Sequence, residues 1–348
     1  MSLSGKISNG GFEDIILPNC GYTRPEVLSG PAFGVDVALV ELPGGMGLAL
    51  TSDPLSLIPS LGLQESAWLS VHLMANDMAT TGFAPMYAQM VLNLPPSISE
   101  ADFTTYWQFI HQYCNDIGVA ITGGHTGSIE GQNSTIAGGG TMLLTAPLNQ
   151  ILLSKKAKAG NVIIVTKECA LSSAAILAMS FPETVKNKLG NEIYQQGCEL
   201  FYQTSSLTDG LVAAATGINE VTAMHDVTEG GVLGAIYEMA IASGNGVCVQ
   251  NELLPISEPQ QRICQLFDID ARFCIGAGAM VMAVKKEYAQ NVLHRLQQNN
   301  IKATVVGEFT DKSKGYKLAE AGVETDMPYY SKDPYWEAFF KAYKNGWK

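Results

Sequence analysis

At 348 residues the chain is too long for one ordinary core, so two domains are expected. Hydrophobic residues make up 47% and charged residues 16%, the balance of a well-buried globular protein. A net charge of −12 repels nucleic-acid backbones and anionic membrane surfaces, which sets both aside as partners.

In chain order, GVDVALVEL (34–42) is β-branched and apolar and reads as a strand broken by Pro43-Gly44-Gly45. GLALTSD (47–53) reads as its antiparallel neighbour. In 64–82, Ala67, Val71, Met74, Ala75 and Met78 recur at helical spacing. MYAQMVLNL (86–94) is a third strand closed by Pro95-Pro96, and Ser99-Glu100 opens a helix that Gly118 stops. GVAIT (118–122) is a short strand running into a glycine loop, and 138–145 is a further strand. Pro147–Gly160, with Lys155, Lys156 and Lys158, reads as a solvated linker between domains 1–150 and 151–348.

NVIIVT (161–166) restarts the alternation, with helices near 170–180, 191–203 and 205–216. VTAMHD (221–226) is a strand, 229–243 a helix opening on Gly230-Gly231, and 279–284, 287–299 and 302–309 a β-α-β ending. Mixed strands with helices to one side define an α/β protein built as α+β layers.

The seven cysteines (20, 114, 169, 198, 248, 264 and 274) are odd in number and show no CxxC spacing. They read as free thiols in a reducing, cytoplasmic compartment rather than as a disulfide framework or zinc cluster. No uncharged apolar run reaches the roughly 18 residues of a membrane span. The N-terminus lacks a basic-then-apolar signal pattern, and Met1-Ser2-Leu3 reads as a cloning remnant.

Three sets of residues carry candidate chemistry. Asp36, Asp53 and Asn76-Asp77 lie on separate elements, where converging carboxylates suit a hard cation such as Mg²⁺ and the phosphates it binds. Each Asp taken singly also fits an ordinary cap or turn. Thr122-Gly123-Gly124-His125-Thr126-Gly127 permits close backbone approach to a ligand, as do plain tight turns. Within it His125 fits a general base, a metal ligand or a hydrogen-bonded structural residue. His225-Asp226-Val227-Thr228-Glu229-Gly230-Gly231 joins a strand to a helix whose N-terminus offers an anion site, with Asp226 or Thr228 serving equally as an N-cap.

The order GVDVALV, SDP, ANDMATTG-AP, ITGGHTG and AMHDVTEGGVLGAIYEMA resembles the aminoimidazole-ribonucleotide synthetase (PurM-like) superfamily over about residues 5–310. Gly5-Lys6-Ile7 and Ser52-Asp53-Pro54 look most similar to the branch near the hydrogenase-maturation (HypE-like) dehydratases. The resemblance implies a two-domain fold: an N-terminal α/β domain that dimerises through its sheet, and a C-terminal domain with a ferredoxin-like layer. It also implies ATP between the domains or across a homodimer, Mg²⁺ on acidic residues, and a small-molecule substrate. Asp36, Asp53 and Asp77 match the family's metal and phosphate positions. Asn76, Thr122, Gly123, Gly124, Thr126, His225 and Asp226 match its nucleotide-binding stretches, and His125 and Asp77 are the catalytic candidates, His125 as the acid/base or in place of a lost metal ligand.

Four positions depart from the family pattern. Val35 stands where the first strand carries an acid, His125 where the glycine loop does, Gly127 where a Glu is usual, and Glu229 where an Arg precedes the GG pair. The dehydratases carry their substrate group on a C-terminal cysteine; here none follows Cys274, so that route to a cyanide ligand is not expected. The sequence therefore favours an ATP-dependent enzyme that phosphorylates an oxygen of a small substrate. A nucleotide-binding scaffold that has lost catalysis and a purine-pathway cyclo-ligase are the alternatives.

Overall fold

The computed structural model describes residues 5–7, 9–132 and 135–348; the expected cloning remnant lies outside them. The first sheet holds six strands: β1 (Val27–Ser29), β2 (Ala38–Leu42), β3 (Met46–Ser56), β4 (Tyr87–Leu94), β5 (Ala120–Ser128) and β6 (Ile136–Pro147). Their spatial order is β1-β2-β3-β6-β4-β5, antiparallel except for the β4–β5 pair. Two helices, α1 (Leu63–Ala79) and α2 (Glu100–Asp116), cover one face. β4 alternates buried and exposed residues along most of its length, because its other face meets solvent.

The second sheet is built from β7 (Asn161–Thr166), β8 (Val221–Asp226), β9 (Gly246–Gln250), β10 (Met280–Lys285), β11 (Ala303–Thr310), β12 (Tyr316–Glu320) and β13 (Val323–Asp326). Its order is β13-β12-β9-β11-β7-β10-β8, with β12 parallel to β9 and the other pairs antiparallel. The helices are α3 (Leu171–Ser180), α4 (Pro182–Leu189), α5 (Asn191–Glu199), α6 (Leu207–Ala213), α7 (Gly231–Ser243), α8 (Glu258–Leu266), α9 (Ala289–Gln298) and α10 (Pro334–Lys344).

NVIIVT is buried at all six positions because both faces of its sheet are covered. Ile163 and Val165 face a core shared with α3, α5, α7 and α8, while Val162 and Ile164 face a second core continuous with α1 and the first sheet. The two sheets are thus locked together through apolar side chains.

Several expected elements change. β5 does not end at residue 122 but continues through the glycines to Ser128 as the edge strand. β2 begins at Ala38, so Asp36 sits in the extended segment ahead of the strand rather than within it. Strands β9, β12 and β13 and helices α4, α8 and α10 lie where no element was expected.

The expectation of a solvated linker at 147–160 is corrected in part: Lys155, Lys156 and Lys158 are exposed, but the residues ahead of them are not. Ile151, Leu152 and Leu153 are buried in the shared core, and Ser154 is buried beside β8. Lys155 Nζ donates to the Leu28 carbonyl at 3.1 Å and Lys156 Nζ to that of Ile151 at 2.8 Å, so these two lysines stitch the segment down. An apolar triplet outweighs three charges because long lysine stems keep their heads at polar groups while the backbone is buried.

All seven cysteines are free thiols; Cys20 is exposed, and Cys114, Cys169, Cys264 and Cys274 are buried. Among the described residues no helix is long and apolar enough to cross a membrane.

Candidate functional site

A cleft of about 570 Å³ opens where the two sheets meet. Its floor includes Asp36 ahead of β2, Thr51 on β3, His225 at the end of β8 and Glu238 on α7. Its outer wall includes Lys6, Phe12, Tyr329 and Tyr330 from the two ends of the chain.

His225 is the pivot of the floor. Its Nδ1 lies 2.7 Å from the Asp36 carboxylate and its Nε2 3.2 Å from Glu238 Oε2. Ser154 Oγ donates to Asp36 Oδ2 at 3.3 Å. Burial alone would lower the imidazole, but the Asp36 and Glu238 carboxylates outweigh it and hold His225 well above the ordinary histidine range. Burial would also raise Glu238; the hydrogen bond from His225 overrides it and keeps that carboxyl low. His225 is therefore a protonated strut between two carboxylates.

The remaining acids behave oppositely. Burial, and then the charge of Asp36, push Asp226 up to about 7. Burial pushes Asp53 up to about 6, with Glu229 adding to it and Lys6 opposing. Asp77 is raised well above the carboxylate range by burial and by Asp226, Asp53 and Asp36, although Thr51 Oγ1 donates to it at 2.7 Å. Asp36 and Asp53 thus add to the raised carboxyls of Asp77 and Asp226, and Asp226 adds to that of Asp77.

Ligand atoms of Asp36, His225 and Asp226 lie within 4.8 Å of one another. With both ring nitrogens engaged by carboxylates, His225 is poorly suited to bind a metal. The carboxylate oxygens of Asp36 and Asp226 are the donors in that cluster that suit a hard, oxygen-loving cation.

The structure therefore gathers Asp36, Asp53, Asp77, His225 and Asp226 at the junction of the sheets. It does not bring the other expected residues to them. Asn76 is fully buried and faces away: its Nδ2 donates to the Thr204 carbonyl at 2.9 Å and its Oδ1 accepts from the Ser206 amide at 2.7 Å. That pair joins α1 to the turn before α6.

Thr122, Gly123, Gly124, His125 and Thr126 are exposed on the edge strand. Asp53 pairs with Gly140, Gly140 with Met90, and Met90 with Gly124. Three strand spacings, about 14 Å, therefore separate Gly124 from Asp53 within one chain. Gly124, at φ +145°, has its missing Cβ place taken by the Met90 carbonyl 1.8 Å away. The close approach that its glycine allows is to β4.

Lys6, Glu238 and Ser154 were missed by the sequence reading. Glu238 had a signal, as a lone acid on an otherwise apolar helix, IYEMA. Ser154 had none, since it reaches Asp36 from a remote stretch of chain.

The fold and cleft define a two-sheet α/β protein with an acidic centre between its halves. Models of the AIR synthase related protein family match its N-terminal domain to residues 34–143 and its C-terminal domain to 158–318, and the chain belongs to that family. It is similar to a putative hydrogenase expression/formation protein of Methanocaldococcus jannaschii, 26% identical over 329 residues, covering 89% of this chain and 90% of that protein. It is also similar to the carbamoyl dehydratase HypE of Escherichia coli, 27% identical over 252 residues and 70% of each chain. The crystal structure of a hydrogenase maturation protein HypE in complex with ATP shares the fold, with a TM-score of 0.66 at 16% identity, over 96% of this chain and 98% of that one.

Proposed function

We propose that the chain is an ATP-dependent enzyme that activates an oxygen of a small substrate by phosphorylation, with Mg²⁺ held by Asp36, Asp53, Asp77 and Asp226. The observation that carries this reading is the convergence of Asp36, His225 and Asp226, whose ligand atoms lie within 4.8 Å of one another, with Asp53 and Asp77 close enough to act on the same carboxyls. ATP in the related HypE structure and the carbamoyl dehydratase activity named for the E. coli relative support it. Mg²⁺, when bound, neutralises polyphosphate charge, which together with positioning makes up most of the catalysis of phosphoryl transfer.

The chain's own residues supply the positioning. Thr51 fixes one oxygen of Asp77. His225 and Ser154 orient Asp36 and leave His225 with a proton at Nδ1 and Nε2. Burial of the floor limits the water that competes for the same oxygens.

The proposed assembly is a homodimer. Met86, Tyr87, Val91 and Ile136 are exposed apolar side chains on the uncovered part of the first sheet, a surface suited to a second copy. His125 and Thr122–Thr126 stand on the adjacent edge strand, and we assign their contribution to nucleotide binding across that dimer. The distance between this segment and the carboxylates of its own chain also favours a second reading, a nucleotide-binding protein without turnover.

Calorimetric titration of ATP, with and without Mg²⁺, tests the site. Mg²⁺-dependent binding that Asp77→Asn removes is the expected result, and no binding at millimolar ATP would overturn the proposal. Release of ADP or phosphate then separates the enzyme from the scaffold.

A further inference from the structure

A second cavity, of about 700 Å³, lies between the two domains and shares none of its lining residues with the acidic cleft. Its walls come from the first three turns of α1, the loop after β7, the turn between α5 and α6, and the segments leading into α8 and β11. The proposed ATP chemistry uses none of these residues.

A buried ion pair forms its floor. Lys167 follows β7 in the left-handed region at φ +53°, and Ala170 repeats that conformation at φ +58°. A residue with a Cβ adopts it at a cost and keeps it only where its surroundings hold it. Lys167 is so held: its Nζ donates to the Ser205 carbonyl at 2.7 Å and the Gly278 carbonyl at 2.9 Å, and lies 3.0 Å from Asp209 Oδ2. An ammonium has three hydrogens, and all three are spent. This cation therefore offers nothing to an anion that enters the cavity. Lys302, the other basic side chain of the lining, is 82% exposed and stands 3.6 Å from Glu168 Oε1. His72 adds no charge, because burial pushes it down to about 4 and leaves a neutral imidazole at pH 7.

Acceptors and ring faces remain open. Glu168 Oε2 accepts from Ser257 Oγ at 2.7 Å, while Oε1 takes no hydrogen bond from the described residues. Glu199 stands exposed on the rim. Trp68 and Tyr202 make an aromatic wall, edge to face with their centroids 5.0 Å apart. Trp68 Nε1 donates to Thr204 Oγ1 at 3.0 Å and its ring lies 3.7 Å from that of His72, so the indole is fixed in place. An anion here would face Glu168, Glu199 and Asp209 without a free buried cation to meet it. A positive charge gains both from the carboxylates and from the ring faces.

We propose that this cavity is a second binding site, for a small amphipathic cation. A primary ammonium or guanidinium meets Glu168 and Glu199, and the apolar body that carries it packs against Trp68 and Tyr202. The volume falls in the range of small-molecule pockets. The site stands apart from the ATP reading and does not depend on it.

Calorimetry of the whole chain at neutral pH with benzylamine, benzyl alcohol and benzoate, which share one body and differ in charge, tests this. Benzylamine is expected to bind about tenfold or more tightly than the other two, the worth of one charge-assisted contact. Glu199→Gln and Tyr202→Leu, both at exposed positions, should each weaken benzylamine binding about threefold to tenfold. Glu168→Gln combined with Glu199→Gln should abolish the preference for benzylamine over benzyl alcohol. Asp77→Asn, which removes a carboxylate from the acidic cleft, should leave benzylamine affinity unchanged. Benzoate bound as tightly as benzylamine, or no benzylamine binding at about 10 mM, would overturn the assignment. A preference lost in Asp77→Asn but kept in Glu199→Gln would overturn it too, since that puts the amine in the acidic cleft.

Discussion

Neutralising Asp226 probes the acidic cleft without emptying it. Its carboxyl is raised from 3.8 to about 7 by burial and then by Asp36, so the folded chain holds a proton there that the unfolded chain releases near pH 4. Folding without a cation therefore takes up a proton between those values. Stability falls as pH rises from about 4 to 7, the reverse of a salt-bridged aspartate. At about 1.4 kcal/mol per tenfold, the penalty above pH 7 is at most ~4 kcal/mol, and relaxation of neighbouring charges trims it to roughly 2 kcal/mol. Asp226→Asn keeps the shape and removes the charge. It should stabilise the Mg²⁺-free protein by roughly 2 kcal/mol at pH 8, with the gain shrinking steadily toward pH 4, while weakening Mg²⁺-dependent ATP binding. Urea denaturation in EDTA across that range, beside calorimetry at pH 8, reads both effects. A variant less stable than wild type at pH 8, or a gain independent of pH, refutes the reasoning.

Three further outcomes follow from the same geometry. His225→Leu leaves Asp36 and Glu238 without their shared proton donor and should cost roughly 3–5 kcal/mol in urea denaturation at pH 6, where the native imidazolium is present. Because the folded histidine is raised, its contribution is complete below the unfolded value near 6.5 and fades only as pH climbs through the higher folded value. Asn76→Ala strands the buried Thr204 carbonyl and Ser206 amide, so a loss of roughly 2–4 kcal/mol is expected from thermal or chemical melts. Val91→Glu places a charge on the proposed dimer face; light scattering should show a shift from dimer to monomer, and an unchanged mass would exclude that face.

How far the sequence reached depended on the range of the forces involved. β2 and β3 were legible because alternation and a Pro-Gly break are local, and their antiparallel register follows from them. The order of Asp36, Asp53, Asp77, His225 and Asp226 along recognisable stretches gave the family, and with it the expectation that they meet. By contrast, the 147–160 segment was misread in part because its three clustered lysines are exposed while Ile151–Leu153 beside them are buried. The glycines at 123 and 124 read as a loop after a short strand, whereas they continue β5, and Gly124 lies close against β4.

The sequence by itself determined the fold class, most of the elements and the acidic residues on which a cation site depends, since these follow from local patterning and residue chemistry. Only the tertiary structure decided their electrostatic roles. Protonation of His225 needs Asp36, 189 positions away, and Glu238, 13 positions away, to close on its ring. Glu229 became an anchor rather than a lost cation because Lys6 and Trp336, from opposite ends of the chain, converge on it. Charge interactions act across space and vary with burial, so their sign at each residue is set only once distant segments are packed together.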